Sequence, residues 1–144
     1  MIEVKKIEPQ GEEYQREREL RNRILLRPIG IPDYGWEKKD DTSHHFVAIH
    51  KNEVIGCVLL WPDPSEDGAA QLLQMAVETD HQGRGVGRLM IQELIEFAQR
   101  SGLKRVWCHA RVSVETFYRK LGFAAVGEVF QEADIDHRIM ETLI

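Results

Sequence analysis

The chain has 144 residues, 42% of them hydrophobic and 30% charged, with 19 Lys+Arg against 24 Asp+Glu and a formal net charge of -5. A domain of this size buries roughly 70% of the surface its unfolded chain exposes, enough for one core without a disulfide or metal, which excludes collagen-like, disordered and disulfide-scaffold classes. No apolar run approaches the roughly 18 residues of a membrane span and no basic run exceeds a pair, so neither membrane nor nucleic acid is an expected partner, and the charged first 25 residues predict a cytoplasmic protein.

The absence of repeats and of Pro/Gly/Ser linkers predicts one domain over residues 1–144. Met1 to Glu8 alternates as a short strand, and Glu12 to Arg27 reads as a charged helix with a thin apolar stripe of Leu20, Ile24 and Leu25. Pro28 to Ser43, with two prolines and two glycines, predicts an irregular surface loop of the kind that carries substrate contacts. His45 to Ile49 and Val54 to Trp61 form an expected hairpin, followed by a solvated turn and a third strand over Ala70 to Val77. Gly87, Met90, Ile91, Leu94, Ile95 and Ala98 then fall on one helical face opposite Arg88, Gln92, Glu96 and Gln99. Gly102 is placed to stop that helix. A strand over Arg105 to Ala110, a short helix over Val114 to Leu121 with Gly122 behind it, and strands over Phe123 to Phe130 and His137 to Ile144 complete the chain. This order predicts an α/β (α+β) fold with a mixed sheet and helices on its faces. Cys57 and Cys108 each sit inside an apolar run, as buried thiols do.

Asp80-His81-Gln82-Gly83-Arg84-Gly85-Val86-Gly87-Arg88 joins a buried strand to the amphipathic helix. A helix start offers unsatisfied N–H groups and the positive end of the helix dipole, and glycines let an anion approach the backbone. A Walker A loop would end in Gly-Lys-Ser/Thr, whereas Gly87 is followed by Arg88-Leu89. The dinucleotide fingerprint needs G-x-G-x-x-G, whereas this loop is G-x-G-x-G.

Gln82-x-x-Gly85-x-Gly87 fits the Q/R-x-x-G-x-G/A acyl-CoA signature, and here the sequence resembles the GCN5-related N-acetyltransferase (GNAT) family. Leu73-Gln74-Met75-Ala76-Val77 is similar to the strand before that loop, and Thr116-Phe117-Tyr118-Arg119-Lys120-Leu121-Gly122-Phe123 to the downstream F-Y-x-K-x-G-F segment. The stretch holding Gly30-Ile31-Pro32, Glu37, Asp40 and His45-x-Val47-Ala48 loosely resembles the ElaA-like branch. The resemblance implies a mostly antiparallel sheet with a splayed central strand pair and acetyl-CoA as co-substrate. Its diphosphate would lie on Gln82, Gly83, Arg84, Gly85, Val86, Gly87 and Arg88, with the pantetheine arm along Met75, Ala76 and Val77 and with Phe117 and Arg111 beside it. It also implies an amine acceptor, on a small molecule or a protein, and a habit of homodimerisation that the residues leave open.

By the same resemblance Tyr118 is the general acid toward the departing thiolate. Where histone-type relatives carry a catalytic glutamate, Gln71 stands, and an amide cannot accept a proton at neutral pH. Glu78, His109, His45 and Glu37 are the candidate bases, and a water chain is a further route. Arg111 occupies a position where the family often has Asn, so either it adds a contact to an anion or it is an exposed arginine. Asp40, Asp41, His44, His45 and His50 lack metal-ligand spacing, and no metal site is expected. Trp36 and Trp61 read either as walls of an acceptor pocket or as packing residues. A non-catalytic acyl-CoA sensor or interaction module is the alternative function.

Overall fold

A computed structural model describes residues 1–144. Seven strands form one sheet in the order β1-β2-β3-β4-β5-β7-β6: β1 (Glu3–Ile7), β2 (His44–His50), β3 (Glu53–Pro62), β4 (Ala69–Val77), β5 (Arg105–Arg111), β6 (Ala124–Glu132) and β7 (Ile135–Leu143). Every neighbouring pair is antiparallel except β4 and β5. The helices are α1 (Glu12–Arg21), α2 (Val86–Arg100) and α3 (Glu115–Lys120).

The single parallel pair follows from chain order, because α2 lies between β4 and β5 and carries the chain back across the sheet. Val86, Met90, Ile91, Leu94 and Ala98 of α2 are buried against Phe46, Ile55, Val58, Leu60, Ala70 and Leu72 in the larger core. Gly56 permits this approach: a Cβ there would stand 3.0 Å from the Met90 terminal carbon and 3.2 Å from Val86. The opposite sheet face packs Val47, Val54, Cys57 and Ala76 against Leu20 of α1.

The expected helix over 12–27 is regular only to Arg21; Asn22–Leu26 continues as a widened π turn and Arg27–Ile29 as a 3-10 turn. Pro28 explains the change, since a ring at that position removes a donor and obstructs the regular helical ladder. The closing hairpin is tighter than the sequence suggests. Its loop is Ala133-Asp134 alone, with φ of 53° and 61°, as a two-residue turn between right-twisted strands requires. Both cysteines are buried and free.

Candidate active site

β4 and β5 pair only at Ala69↔Arg105, Ala70↔Val106 and Gln71↔Trp107. Beyond these, β4 stays with β3 as far as Gly56↔Val77 while β5 stays with β7 as far as Arg111↔His137. The two strands therefore diverge, and the sheet opens into a cleft of about 960 Å³, at the upper end of the ~300–1,000 Å³ usual for ligand sites. Its lining includes Leu72 to Val77 of β4 and Cys108 to Arg111 of β5. The backbone edges facing this gap have no strand to pair with, which suits an extended amide-bearing ligand.

The glycine loop closes one end of the cleft. Gly83 and Gly85 have φ of 76° and 84°, a left-handed geometry that L side chains resist, and Gly85 caps α2 without any side-chain hydrogen bond. The first helical bond runs from the Leu89 N–H to the Gly85 carbonyl, so the amides of Val86, Gly87 and Arg88 precede the ladder and remain available. Gln82 donates through Nε2 to the Val77 carbonyl at 2.9 Å, tying the loop to the end of β4. A Cβ on Gly87 would meet the Phe117 ring at 3.3 Å and the Met75 sulfur at 3.5 Å, so glycine keeps the helix end close to both residues. These features fit a diphosphate with a pantetheine arm behind it. Gln82, Gly83, Gly85, Val86, Gly87, Arg88, Met75, Ala76, Val77, Arg111 and Phe117 all line the cleft; Arg84 does not.

On the α2 side of β5, Tyr118 is buried between Phe117 and Phe123, with ring centroids 5.2 and 5.4 Å away, and its hydroxyl lies beside the Cys108 thiol. Burial pushes the phenol well above its usual value, and the neighbouring thiol adds to the effect. Burial likewise pushes Cys108 up to about 12. Both groups hold their protons at neutral pH, so the Tyr118 hydroxyl can donate a hydrogen bond at the cleft wall.

Strand alternation turns His109 to the other side of β5 from Cys108 and Ala110. Its Nδ1–H donates to the Glu132 carboxylate of β6 at 2.7 Å, with Trp107 and Phe130 rings 5.5 and 5.0 Å away. In the neutral ring that bond fixes the tautomer and leaves Nε2 as an acceptor. His109 and Glu132 both line the cleft, as do Trp36, Gln71 and His137. Glu132 was not among the sequence candidates, since 23 residues separate it from His109 and only the β5-β7-β6 order brings them together.

The remaining base candidates are otherwise engaged. Glu78 forms a two-pronged pair with Arg23 at 2.9 Å and stands outside the cleft lining; the guanidinium holds its carboxyl below the usual range. Glu37 accepts from Arg18 at 2.8 Å. His45 is fully buried beneath α1 with Glu17, Asp40 and Arg21. Arg21 donates to both oxygens of Asp40 at 2.9 and 2.7 Å and to Glu17 at 2.8 Å, and Tyr14 donates to Asp40 at 2.6 Å. Glu17 and Asp40 thus converge on the Arg21 guanidinium, and His45 lies within hydrogen-bond distance of the Glu17 carboxylate.

The fold recurs in solved structures. Escherichia coli ElaA superposes with a TM-score of 0.87 at 20% identity over 99% of both chains. An acyl-CoA N-acyltransferase from Pseudomonas aeruginosa gives 0.86 at 20% identity, again over 99% of both. In sequence, the Bacillus subtilis protein named "Uncharacterized N-acetyltransferase YitI" is 30% identical over 128 residues, 85% of each chain. The Danio rerio protein named "Probable N-acetyltransferase 14" is 32% identical over 88 residues, 58% of this chain. The match spans 30% of that longer relative. Residues 7–123 match the family model described as Acetyltransferase (GNAT) family, and with a cleft, glycine loop and splayed strand pair of this form the chain belongs to that family. A GNAT family acetyltransferase from Elizabethkingia anophelis, described with acetyl-CoA bound, superposes with a TM-score of 0.77 at 16% identity over 99% of this chain and 98% of that one.

Proposed function

We propose that this protein transfers the acetyl group of acetyl-CoA directly to a primary amine, with His109 as base, Glu132 orienting it and Tyr118 as acid. The observation that carries this reading is the placement of His109 and Tyr118 on the two faces of β5, both lining one cleft. Acetyl-CoA supplies an activated acyl group. Amides at the start of α2 would hold its diphosphate, leaving the thioester between the strand edges near Tyr118.

Nε2 of His109 takes a proton from the incoming ammonium, directly or through one water, and the free amine attacks the thioester carbonyl. The C–N bond forms, the nitrogen releases its second proton to water as the tetrahedral intermediate collapses, and the C–S bond breaks. Tyr118 hydrogen-bonds the departing sulfur and shares its proton with it as the C–S bond breaks; full transfer from a phenol raised by burial is uphill, so the released thiolate takes its proton from solvent. Glu132 stabilises the imidazolium that forms, and its charge favours a cationic acceptor. Gln71, which is buried, offers hydrogen bonds at the narrow end of the cleft and no base. A cytoplasmic setting and a homodimer remain part of the proposal.

The test is to incubate the protein with acetyl-CoA and a panel of primary amines while following free thiol. Amine-dependent thiol release supports the transferase. Acetyl-CoA binding without release across the panel supports the sensor reading instead.

A further inference from the structure

The loop between α1 and β2 supplies Trp36 to the cleft, and it is tied chiefly to the α1 side. Asp33 accepts from Arg27, the Tyr34 N–H donates to Asn22 Oδ1 at 2.9 Å, Glu37 accepts from Arg18, and Asp40 accepts from Arg21. One hydrogen bond crosses from this loop to β4: Gln74 donates through Nε2 to the Trp36 carbonyl at 2.9 Å. The same amide accepts at Oε1 from Arg21 at 2.9 Å.

Gln74 holds a φ of 51°, in the left-handed region that a non-glycine residue rarely adopts. It sits in a bulge. Cys57 pairs with Ala76 and Leu59 with Leu73, so two residues of β4 face Val58 alone. Such strain persists only where surrounding contacts over-determine it, and both ends of the Gln74 amide are engaged.

We propose that Gln74 is a positioning residue that clamps the Trp36 loop to β4 and so sets the width of the acceptor half of the cleft. The assignment of that half to the acceptor rests on the transferase reading; the clamp itself does not. Gln74 acts through the Trp36 backbone on the α1 face of β4, whereas its neighbour Met75 meets Gly87 on the α2 face, so loosening the clamp opens the α1 side of the cleft and leaves the glycine loop that would hold the diphosphate intact.

Two variants test this. Gln74→Glu can still accept from Arg21 but cannot donate to the Trp36 carbonyl. Gln74→Asn tolerates the left-handed backbone and so protects the fold, but is too short to span both partners. Hydrogen exchange by mass spectrometry should show the segment 31–39 exchanging at least about fivefold faster in both variants, with α1 and β3 unchanged. In a Trp61→Phe, Trp107→Phe background, acrylamide should quench Trp36 more strongly, while the calorimetric Kd for acetyl-CoA stays within about twofold. Unchanged exchange over 31–39, equal loosening of α1 and β3, or a parallel loss of acetyl-CoA affinity would each overturn the proposal. Failure of the wild type to acetylate any amine rejects the transferase reading and leaves the exchange result to decide the clamp.

Discussion

His45 Nδ1 lies 3.0 Å from both carboxylate oxygens of Glu17, with both side chains fully buried, and His45 Nε2 lies 2.8 Å from the Asp40 carbonyl. Both neighbours are acceptors, so both ring nitrogens donate and the imidazole is protonated. Burial alone would lower its pKa, but the Glu17 hydrogen bond and charge, with the Asp40 carbonyl, outweigh it and raise the value. A raised folded-state pKa contributes stability that is complete below about pH 6.5, the unfolded value, and is lost as pH rises through the folded value. Urea denaturation should therefore show the advantage of wild type over His45→Gln shrinking as pH climbs above about 6.5. A gap that is constant or widens with pH contradicts a buried imidazolium.

Arg21 binds Asp40, Glu17 and Gln74 at once. Replacing it by Met leaves Asp40 with Tyr14 alone and Glu17 with His45 alone, and breaking a buried pair this way typically costs about 3–5 kcal/mol. Chemical denaturation of Arg21→Met should show a loss of that order. A loss below about 1 kcal/mol would mean that solvent reaches the cluster.

This cluster also marks where sequence reading stops. The glycine loop and the start of α2 were legible because their geometry is local: glycines at 83, 85 and 87 followed by apolar residues at helical spacing. Glu17 and Arg21 look like solvated charges on a thin amphipathic helix, and only packing against His45 and Asp40, 28 and 19 residues further on, makes them interior. The left-handed Gln74 carries no glycine or asparagine signal. Tyr118 was legible through F-Y-x-K-x-G-F, whereas the partner of His109 needed the strand order.

Removing the Tyr118 hydroxyl tests the acid. A general acid commonly contributes about 10²–10⁴ in rate, so Tyr118→Phe should lower kcat by at least a hundredfold. Its acetyl-CoA Kd should remain within about twofold, since the proposed partner of the hydroxyl is the sulfur rather than the diphosphate. Unaltered turnover with any amine the wild type acetylates rejects the role.

Three substitutions separate the candidate bases. His109→Gln should reduce kcat about a hundredfold, and Glu132→Gln by about tenfold, because it weakens tautomer control and imidazolium stabilisation while sparing the ring. Glu78→Gln, which loses only the pair with Arg23, should leave kcat within about twofold. A full loss in Glu78→Gln with an active His109→Gln would reverse the assignment.

The account depends most on the open amides at the start of α2 receiving a diphosphate. Calorimetry with acetyl-CoA and with acetyl-pantetheine, which keeps the thioester and the arm but lacks the diphosphate, isolates that contribution. Acetyl-CoA should bind at least about a hundredfold more tightly, and Gly85→Val, which places a branched side chain at φ 84°, should erase most of the difference. Equal affinity for the two ligands in the wild type would contradict the account.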